Sequence, residues 1–472
     1  MTAARAPEAQ KTDTRAPHGH FGFRFVTPLG LGSTLNPVNS TMISTALVPI
    51  AGDFHASVAE TGWLIAGLYL ASAVAQPTMG RLADLFGPRR VYLIALFLVA
   101  LSGLIGEWAP SLGVLVAARV LLGIGTSGAY PSAMRLFRTQ ADRHGYTQPP
   151  RVAMGVLSLS AIASMAIGPL LGGVLTGAFG WHAIFLINLP LAAVTALLTL
   201  MWVPKDAPVT NGWRRLVTEV DLVGIALFVA SLLSLMVFLM NLARPPWWIL
   251  PVSAGFLAGL VVHSRRRQQP FIDVRMLARN RPLSLTYLRA GLVSMITYCV
   301  LYGFGQWLES GAHYTAAQAG LFTLPMSAVA AASSFSGART KGIRAPFVIA
   351  IGSALIGCAC LWFVHAQSAV WWIAAAVIFF GPPQGMFSTA TQAAIYLQAP
   401  AGEIGTAAGL QRTAAYIGAI AATSLLGLMY GARASDMGLH NLALTMGAVT
   451  VALFVFTLFD RTLPRTAVAT SN

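Results

Sequence analysis

The sequence predicts an all-α polytopic membrane protein with fourteen membrane-spanning helices. Hydrophobic residues make up 56% of the 472 residues, charged residues only 10%, and the mean hydropathy is +0.68. A water-soluble fold of this composition would have too few polar side chains to cover its surface. A helix needs about 20 mostly apolar residues to cross the hydrocarbon layer. Fourteen such stretches are separated by polar or Gly- and Pro-rich breaks.

The apolar stretches also predict how the chain is organised. They lie near residues 25–50, 58–79, 91–107, 111–133, 152–176, 183–203, 221–242, 247–263, 284–308, 316–336, 346–364, 369–395, 404–430 and 440–460. Charged, Pro-containing stretches at 204–220 and 264–282 divide them into six, two and six. We expect a disordered tail (1–24), an N-terminal six-helix bundle (25–203), a linker with two additional spans (204–282), a C-terminal six-helix bundle (283–461) and a second tail (462–472).

The basic residues predict the orientation in the membrane. The formal net charge is +15, from 30 Lys and Arg against 15 Asp and Glu. When both termini are placed in the cytoplasm, all but four of the basic residues fall in the tails and in the loops on the cytoplasmic side. The exceptions are Arg119, Arg244, Arg412 and Arg433. This positive-inside distribution predicts a protein of the inner (cytoplasmic) membrane with cytoplasmic N- and C-termini. The charge therefore indicates topology, and no nucleic-acid partner is expected.

Composition and spacing also limit the chemistry of the protein. The three lysines, Lys11, Lys205 and Lys341, lie outside any glycine-rich phosphate loop, so ATP is not expected to drive the protein directly. The three cysteines lack the spacing of a metal site. Because no catalytic constellation and no cofactor motif is recognised, a membrane-embedded enzyme or sensor is a minor alternative.

Residues 80–90 carry a motif between the second and third spans. It contains Gly80, Asp84, Gly87, Arg89 and Arg90, and it resembles the cytoplasmic signature of the major facilitator superfamily. We expect Gly80 to let two helices approach closely and Asp84 to accept backbone N–H bonds at the start of the next helix. The two arginines are expected to hold the loop on the cytoplasmic side.

The fifth span carries a second motif, Gly168-Pro169 followed by Gly172-Gly173. It resembles the antiporter signature of facilitator exporters. The sequence from Gly180 to Pro190, which includes His182, resembles the start of the sixth span in the fourteen-span drug:proton antiporter family. The resemblance to that family covers residues 25–460 and implies the major facilitator fold. The glycines and the proline then predict a bendable helix between the two bundles.

Two arginines lie within predicted spans. Arg119, in the fourth span, resembles the buried arginine of a family motif, and we expect it to face the bundle interior or to reach toward the outer interface. Arg412 lies near mid-depth in the thirteenth span. It either binds an anionic group of the substrate or locks the two bundles together by bonding backbone carbonyls.

The first span resembles the first-helix motif of the same family, but it has Asn39 at the position of the family's acidic residue. We interpret several polar side chains as candidates for lining a central substrate cavity: Asn39, Thr41, Ser44, Tyr69, Arg119, Tyr302, Gln306, Gln384 and Arg412. Glu107, Glu309 and His182, near the outer face, are candidates for carrying protons.

These patterns favour a secondary active exporter of small, drug-like compounds that works by proton antiport with alternating access. The alternative is a uniporter or an exporter of organic anions that uses Arg119 and Arg412. The expected partners are a small-molecule substrate, protons and the lipid bilayer.

Overall fold

The computed structural model describes residues 21–144, 164, 167–207, 221–241, 245–268, 270–340, 342–399 and 404–463. The regular structure in these ranges is helical. The predicted tails and linker and the predicted fifth span extend beyond these ranges, so the expectations for residues 1–20, 145–163, 165–166, 208–220 and 464–472 lie outside the described residues.

The helices within these ranges follow the predicted spans and are numbered α1 to α14. The first seven are α1 (Phe23–Met42), α2 (Val58–Phe86), α3 (Pro88–Glu107), α4 (Leu112–Arg143), α5 (Ile167–Phe179), α6 (Ala183–Trp202) and α7 (Leu222–Met240). The others are α8 (Ile249–Arg266), α9 (Arg281–Ser310), α10 (Ala316–Gly337), α11 (Arg344–Trp362), α12 (Val370–Ile395), α13 (Ile404–Tyr430) and α14 (Asp436–Phe459). Short helices at Leu47–Asp53 and Val274–Arg279 follow α1 and precede α9.

Eleven helices in the described ranges are long and apolar enough to cross a membrane. The remaining three are α1, α5 and α8. The predicted first span is not one continuous helix, because a 3₁₀ turn at Ile43–Thr45 separates α1 from Leu47–Asp53. The described part of α5 is shorter than a full span, and α8 ends in Arg265 and Arg266. The chain is an integral membrane protein.

Local sequence explains where several helices begin. Ser57 accepts the backbone N–H of Glu60 while Glu60 accepts that of Ser57, which caps α2 reciprocally. The side chains of Ser111 and Ser435 cap α4 and α14. Gly87 has a φ of 97°, which few side chains tolerate, and it separates α2 from α3.

The helices form two bundles with a hairpin beside their junction. In the first bundle α4 packs against α2 and α3, and in the second α13 packs against α9 while α11 packs against α14. The bundles meet where α13 packs against α2. Helices α7 and α8 pack against each other, and α7 contacts both α2 and α13. The inserted hairpin therefore rests on both bundles.

Arg89, Arg135 and Arg266 lie near the ends of their helices, and we call this end of the helices the basic end. At the other end, a tryptophan indole in each bundle bonds a carboxylate and joins the end of the first span to the start of the last span. Trp181 donates to Asp53 in the first bundle at 2.5 Å, and Trp307 donates to Asp436 in the second at 2.8 Å. The donor and the acceptor exchange places between the bundles, so different sequences perform the same structural role.

A buried ion pair joins the same two helices of the second bundle at its basic end. Arg289 is fully buried and its Nη2 donates to Asp460, while its Nε donates to Thr457 at 3.3 Å. The guanidinium also lies 4.8 Å from the centre of the Phe456 ring. Because Arg289 is fully buried, loss of Asp460 would leave its charge without a counter-charge, so the pair couples α9 to α14 strongly.

We expect Asp460→Ala to destabilise the second bundle by about 3–5 kcal/mol, because it leaves Arg289 buried without its counter-charge. The apparent melting temperature of the detergent-solubilised protein measures this. Asp142→Ala is the matched control, since it removes an exposed pair with Arg138 at 3.1 Å and should change stability by less than about 1 kcal/mol. Equal effects of the two variants would contradict the assignment.

Candidate functional site

The carboxylate that caps the start of α3, after the loop between α2 and α3, is not the one that the sequence predicts. The carboxylate that accepts the N–H groups of Arg89 and Arg90, at 3.1 and 2.8 Å, belongs to Asp206 after α6. Asp84 instead pairs with Arg135 of α4 at 2.8 Å. The prediction that Asp84 caps α3 is therefore wrong, and Asp206 fills the role because the chain after α6 returns to this loop.

The glycines of this loop also differ in what they do. A Cβ at Gly87 would lie 2.5 Å from the Asp206 carboxylate, so only glycine fits both the positive φ and the bound acid. A Cβ at Gly80 would lie 3.7 Å from Pro131, which is an ordinary contact. The prediction that Gly80 allows an unusually close helix approach is therefore wrong. Arg89 is buried and donates to Leu200 O at 2.9 Å.

Helix α5 packs between the two bundles through its glycines. A Cβ at Gly168 would overlap the Thr41 hydroxyl, and one at Gly172 would overlap Met42 O; both contacts are with α1. On its other side a Cβ at Gly173 would lie 2.5 Å from Ala316 O in α10, and one at Gly320 would lie 2.6 Å from Pro169 O. We call the contact between α5 and α10 the glycine seam.

Tyrosines join the bundles in the middle of the membrane. Tyr69 of α2 and Tyr302 of α9 are fully buried, and their hydroxyl oxygens lie 2.8 Å apart. Tyr302 donates to Ser40 O at 2.7 Å, so Tyr69 is the donor between the two hydroxyls. Tyr302 lies in a π-helical turn, Cys299–Phe304, a distortion common at functional sites. The predicted cavity residues Tyr69 and Tyr302 thus meet, but they close a junction between the bundles.

Arg119 is an interior side chain of the first bundle. It is 2% exposed, and it donates through Nε to Leu64 O at 3.0 Å and through Nη1 to Asn39 O at 3.1 Å. Its remaining Nη2 has no partner among the described residues. Arg119 therefore bonds backbone carbonyls, the role that was considered for Arg412, and it does not reach the outer interface.

Asn39 pairs with an amide rather than facing a cavity. Its Nδ2 donates to Asn188 Oδ1 at 2.6 Å, and Asn188 Nδ2 donates back to Asn39 Oδ1 at 2.9 Å. Both residues are buried, at 2% and 0% exposure. A neutral amide pair satisfies both groups without a charge. The structure thus contradicts the interpretation of Asn39 as a cavity residue, because Asn188 of α6 covers it.

The other small polar candidates are occupied locally. Thr41 donates to Pro37 O at 2.9 Å, Ser44 to Thr41 O at 2.7 Å and Gln306 to Tyr302 O at 3.3 Å. All three are buried. Gln384 differs, because its Oε1 is buried with no hydrogen-bond partner in the described residues. Thr41, Ser44 and Gln306 therefore pack inside the protein in this conformation, which corrects their predicted exposure to a cavity.

Arg412 is the predicted residue that stays partly exposed at the junction. Its guanidinium lies 4.6 Å from the centre of the Tyr130 ring of α4, so it reaches from the second bundle to the first. Tyr416, one turn along α13, donates to Gln76 Oε1 of α2 at 3.2 Å. The ring of Tyr416 stacks on that of Tyr69, with centres 5.3 Å apart. The sequence analysis did not identify Tyr130, Tyr416 or Gln76, which lie on three different helices and meet only through packing.

The three candidates for carrying protons have different surroundings. Glu107 ends α3, and one of its carboxylate oxygens is buried without a partner in the described chain. Glu309, in the last turn of α9, also has a buried, unpartnered oxygen. The turn Gly305–Ser310 that holds it packs against the Ile43–Thr45 turn and the Leu47–Asp53 helix of the other bundle. His182 stacks on Trp181, with ring centres 3.6 Å apart.

Among the described residues, the contacts between the bundles lie mainly in the middle of the membrane and at the end opposite the basic end. There a Cβ at Gly427 of α13 would lie 3.0 Å from Ala59 of α2, and the glycine seam closes α5 on α10. Toward the basic end, no described atom lies within 4 Å of a Cβ built at Gly409 of α13. The described residues also hold no group of three His, Cys, Asp or Glu side chains placed to bind a metal.

Comparison with known proteins places this architecture among transporters. The profile of the Major Facilitator Superfamily matches residues 29–423. The chain is 33% identical over 416 residues to an uncharacterised MFS-type transporter of Bacillus subtilis, YwoD, covering 86% of this chain and 90% of that protein. It is 29% identical over 437 residues to a tetracenomycin C resistance and export protein of Streptomyces glaucescens, covering 87% and 76%.

The solved structures support the fold. The nucleoside transporter NupG aligns with a TM-score of 0.64 over 92% of this chain and 100% of its own, at 12% sequence identity. Similarity at that identity shows a shared architecture of the helices only.

We expect Asn39→Ala to lower the apparent melting temperature, because it leaves the buried Asn188 amide unpaired at a cost of about 1–3 kcal/mol. Asn39→Leu combined with Asn188→Leu should recover part of the loss. Asn241→Ala, at an exposed position, is the control. Unchanged stability of Asn39→Ala would contradict the paired arrangement and return Asn39 to the list of residues free to contact a substrate.

Proposed function

Because the chain belongs to the Major Facilitator Superfamily, we propose that it is a secondary active exporter of small, drug-like organic compounds that exchanges its substrate for protons. Transport by this superfamily requires no catalytic residues in the protein. The proposal places the protein in the inner membrane, with both termini and the basic end in the cytoplasm, because the positive-inside distribution favours that orientation.

The observation that carries the proposal is the uneven contact between the bundles. The glycine seam and the Tyr69–Tyr302 contact hold the bundles together in the middle of the membrane and at the end opposite the basic end. The surroundings of Gly409 are open toward the basic end among the described residues. This asymmetry is what a conformation open to the cytoplasm requires, and alternating access needs it to reverse by rocking of the bundles.

Export is supported by relatives as well as by α5. Three related proteins are named for resistance or export: the tetracenomycin C protein, a lincomycin resistance protein of Streptomyces lincolnensis and a multidrug resistance protein B homologue of Mycobacterium tuberculosis. The α5 motif that resembles the antiporter signature forms the glycine seam. Small residues there let two backbones slide at close range.

Glu309 is the proton carrier we favour. It lies where the second bundle contacts the first, and one of its oxygens has no described partner. A buried carboxylate without a partner is stabilised by taking up a proton, and opening of this end of the junction would return it to water. Glu107 and His182 are secondary candidates, because each contacts its own bundle.

Organic anion transport by uniport or export is the second candidate. Arg412 favours it, because it is a partly exposed positive charge between the bundles. Arg119 no longer supports it directly, since two of its nitrogens bond backbone carbonyls within the first bundle.

The test of antiport is proton flux in liposomes that contain the purified protein and an internal pH dye. Each substrate class, a cationic dye, a neutral aromatic and an organic acid, is added alone. We expect at least one class to release protons through the wild type. Glu309→Gln should abolish this flux while substrate binding remains, and Glu60→Gln, an exposed glutamate in a helix cap, should retain it. Substrate movement without any proton flux would replace antiport by uniport.

We expect Gly173→Ala and Gly320→Ala to abolish or strongly reduce transport, because each methyl group would collide with a backbone carbonyl across the glycine seam. Gly177→Ala is the matched control on α5, since its Cβ would lie 3.7 Å from Ala317, an ordinary contact. Efflux from cells with equal amounts of membrane-inserted protein measures the effect. Full activity of both seam variants would show that this contact does not take part in the transport cycle.

A further inference from the structure

We propose that Arg412 and the side chains around it form a binding subsite for the carboxylate of an aromatic acid. The inference rests on the proposed function, because it names the substrate class of the transporter. The Arg412 subsite consists of Arg412, Tyr130, Tyr298, Tyr416 and Gln76.

The subsite lies between the two bundles. Arg412 is the ninth residue of α13, so it is about 12 Å along the helix from the basic end. Its guanidinium lies over the Tyr130 ring of α4 at 4.6 Å. The Tyr416 hydroxyl, one turn further along α13, interacts electrostatically with Arg412 and donates to Gln76 of α2. Three helices from both bundles therefore converge on this charge.

The charge of Arg412 has no carboxylate partner in the described chain. Nearly all described acids are engaged elsewhere by ion pairs, backbone N–H groups or indoles: Asp53, Glu60, Asp84, Asp142, Asp206, Asp221, Asp273, Asp436 and Asp460. The two acids with a free oxygen, Glu107 and Glu309, lie at the end of the helices opposite the basic end. A positive charge inside a membrane protein is stabilised by an anion, by backbone carbonyls or by water, and no described anion does so for Arg412.

Geometry and chemistry select a carboxylate as that anion. A guanidinium presents a planar fork of N–H donors that matches the two oxygens of a carboxylate, and stacking on an aromatic ring leaves the edge of that fork available. A cationic compound would meet like charge at this position, with no described carboxylate nearby to offset it. The subsite therefore favours acids over the cations that an acidic residue would attract.

The aromatic preference comes from the tyrosines. Tyr416 stacks on the buried Tyr69, with ring centres 5.3 Å apart, and Tyr298 packs against Tyr69 in a tilted arrangement, with ring centres 5.2 Å apart. Tyr298 and Tyr130 are partly exposed. Aromatic rings in such sites prefer offset or edge-to-face contact with another ring. Gly409 lies one turn from Arg412 toward the basic end, and no described atom lies within 4 Å of a Cβ built there.

A purely structural role would make Arg412 a cation–π contact that stabilises the junction. The two roles differ in their dependence on ligand charge. Removing a structural contact weakens all ligands alike, whereas removing the partner of a carboxylate weakens only the acid. Salicylate and salicylamide are suitable probes, because they have the same ring and nearly the same size and differ in charge.

The experiment measures binding of radiolabelled salicylate and salicylamide to the detergent-purified full chain by equilibrium dialysis. We expect the wild type to bind salicylate more tightly than salicylamide. Arg412→Gln should weaken salicylate binding about 10- to 100-fold and leave salicylamide binding within about twofold, the range that loss of a charge-assisted hydrogen bond gives. Arg412→Lys should retain part of the preference, because it keeps the charge and loses the planar fork.

Arg433→Gln is the matched control, since it removes the same charge from an exposed loop at the opposite end. Equal weakening of both probes by Arg412→Gln, unchanged salicylate binding, or a wild type that binds salicylamide and not salicylate would each overturn the subsite.

The proton-flux measurement is independent of the binding measurement. Flux with neutral or cationic compounds alongside a failed subsite leaves the exporter intact, whereas salicylate binding without any transport overturns the proposed function and keeps the subsite.

Discussion

A bilayer offers no water to a polar group in its interior, so almost every charge and amide in this protein needs a partner from another helix. That requirement shapes the whole structure. Arg289 is held by Asp460, Asn39 by Asn188, and Arg119 by two backbone carbonyls. Each of these bonds joins helices that are far apart in sequence, so the bonds that satisfy the polar groups also assemble the bundles. The groups left without a complete set of described partners, above all Arg412 and Glu309, are then the ones most readily assigned to transport.

The same requirement separates what the sequence could predict from what it could not. Helix positions follow from apolar length, and the placement of α5 at the junction follows from its glycines, because both depend on local composition. Pairings do not. Asp84 is the nearest acid to the start of α3, but Asp206, 117 residues from Arg89, takes that position because the chain after α6 returns there. Asn39 is a second example. Its polarity is visible in the sequence and suggests a cavity, but the Asn188 side chain that covers it lies 149 residues away.

The two bundles reach equivalent structures with different residues. In each, an indole N–H bonds a carboxylate at the end opposite the basic end, but the tryptophan is at the start of the last span in one bundle and at the end of the first span in the other. A hydrogen bond between two segments holds them together in the same way whichever segment carries the donor. Exchanging the donor and the acceptor therefore leaves the geometry unchanged. The two bundles therefore share this contact although the sequence places the tryptophan at different positions in each.

The contacts between the bundles are of a different kind from those within them. Within the bundles they include buried ion pairs and amide pairs, which are costly to break. Between them, the described contacts include the glycine seam, hydrogen bonds of neutral tyrosine hydroxyls, stacked rings and the Arg412–Tyr130 contact. Such contacts are individually weaker than a buried ion pair, so they cost less to break when the two bundles separate. Arg412 lies within this weak layer, which means that an anion bound there would take part in the contact between the bundles and would bias their relative position.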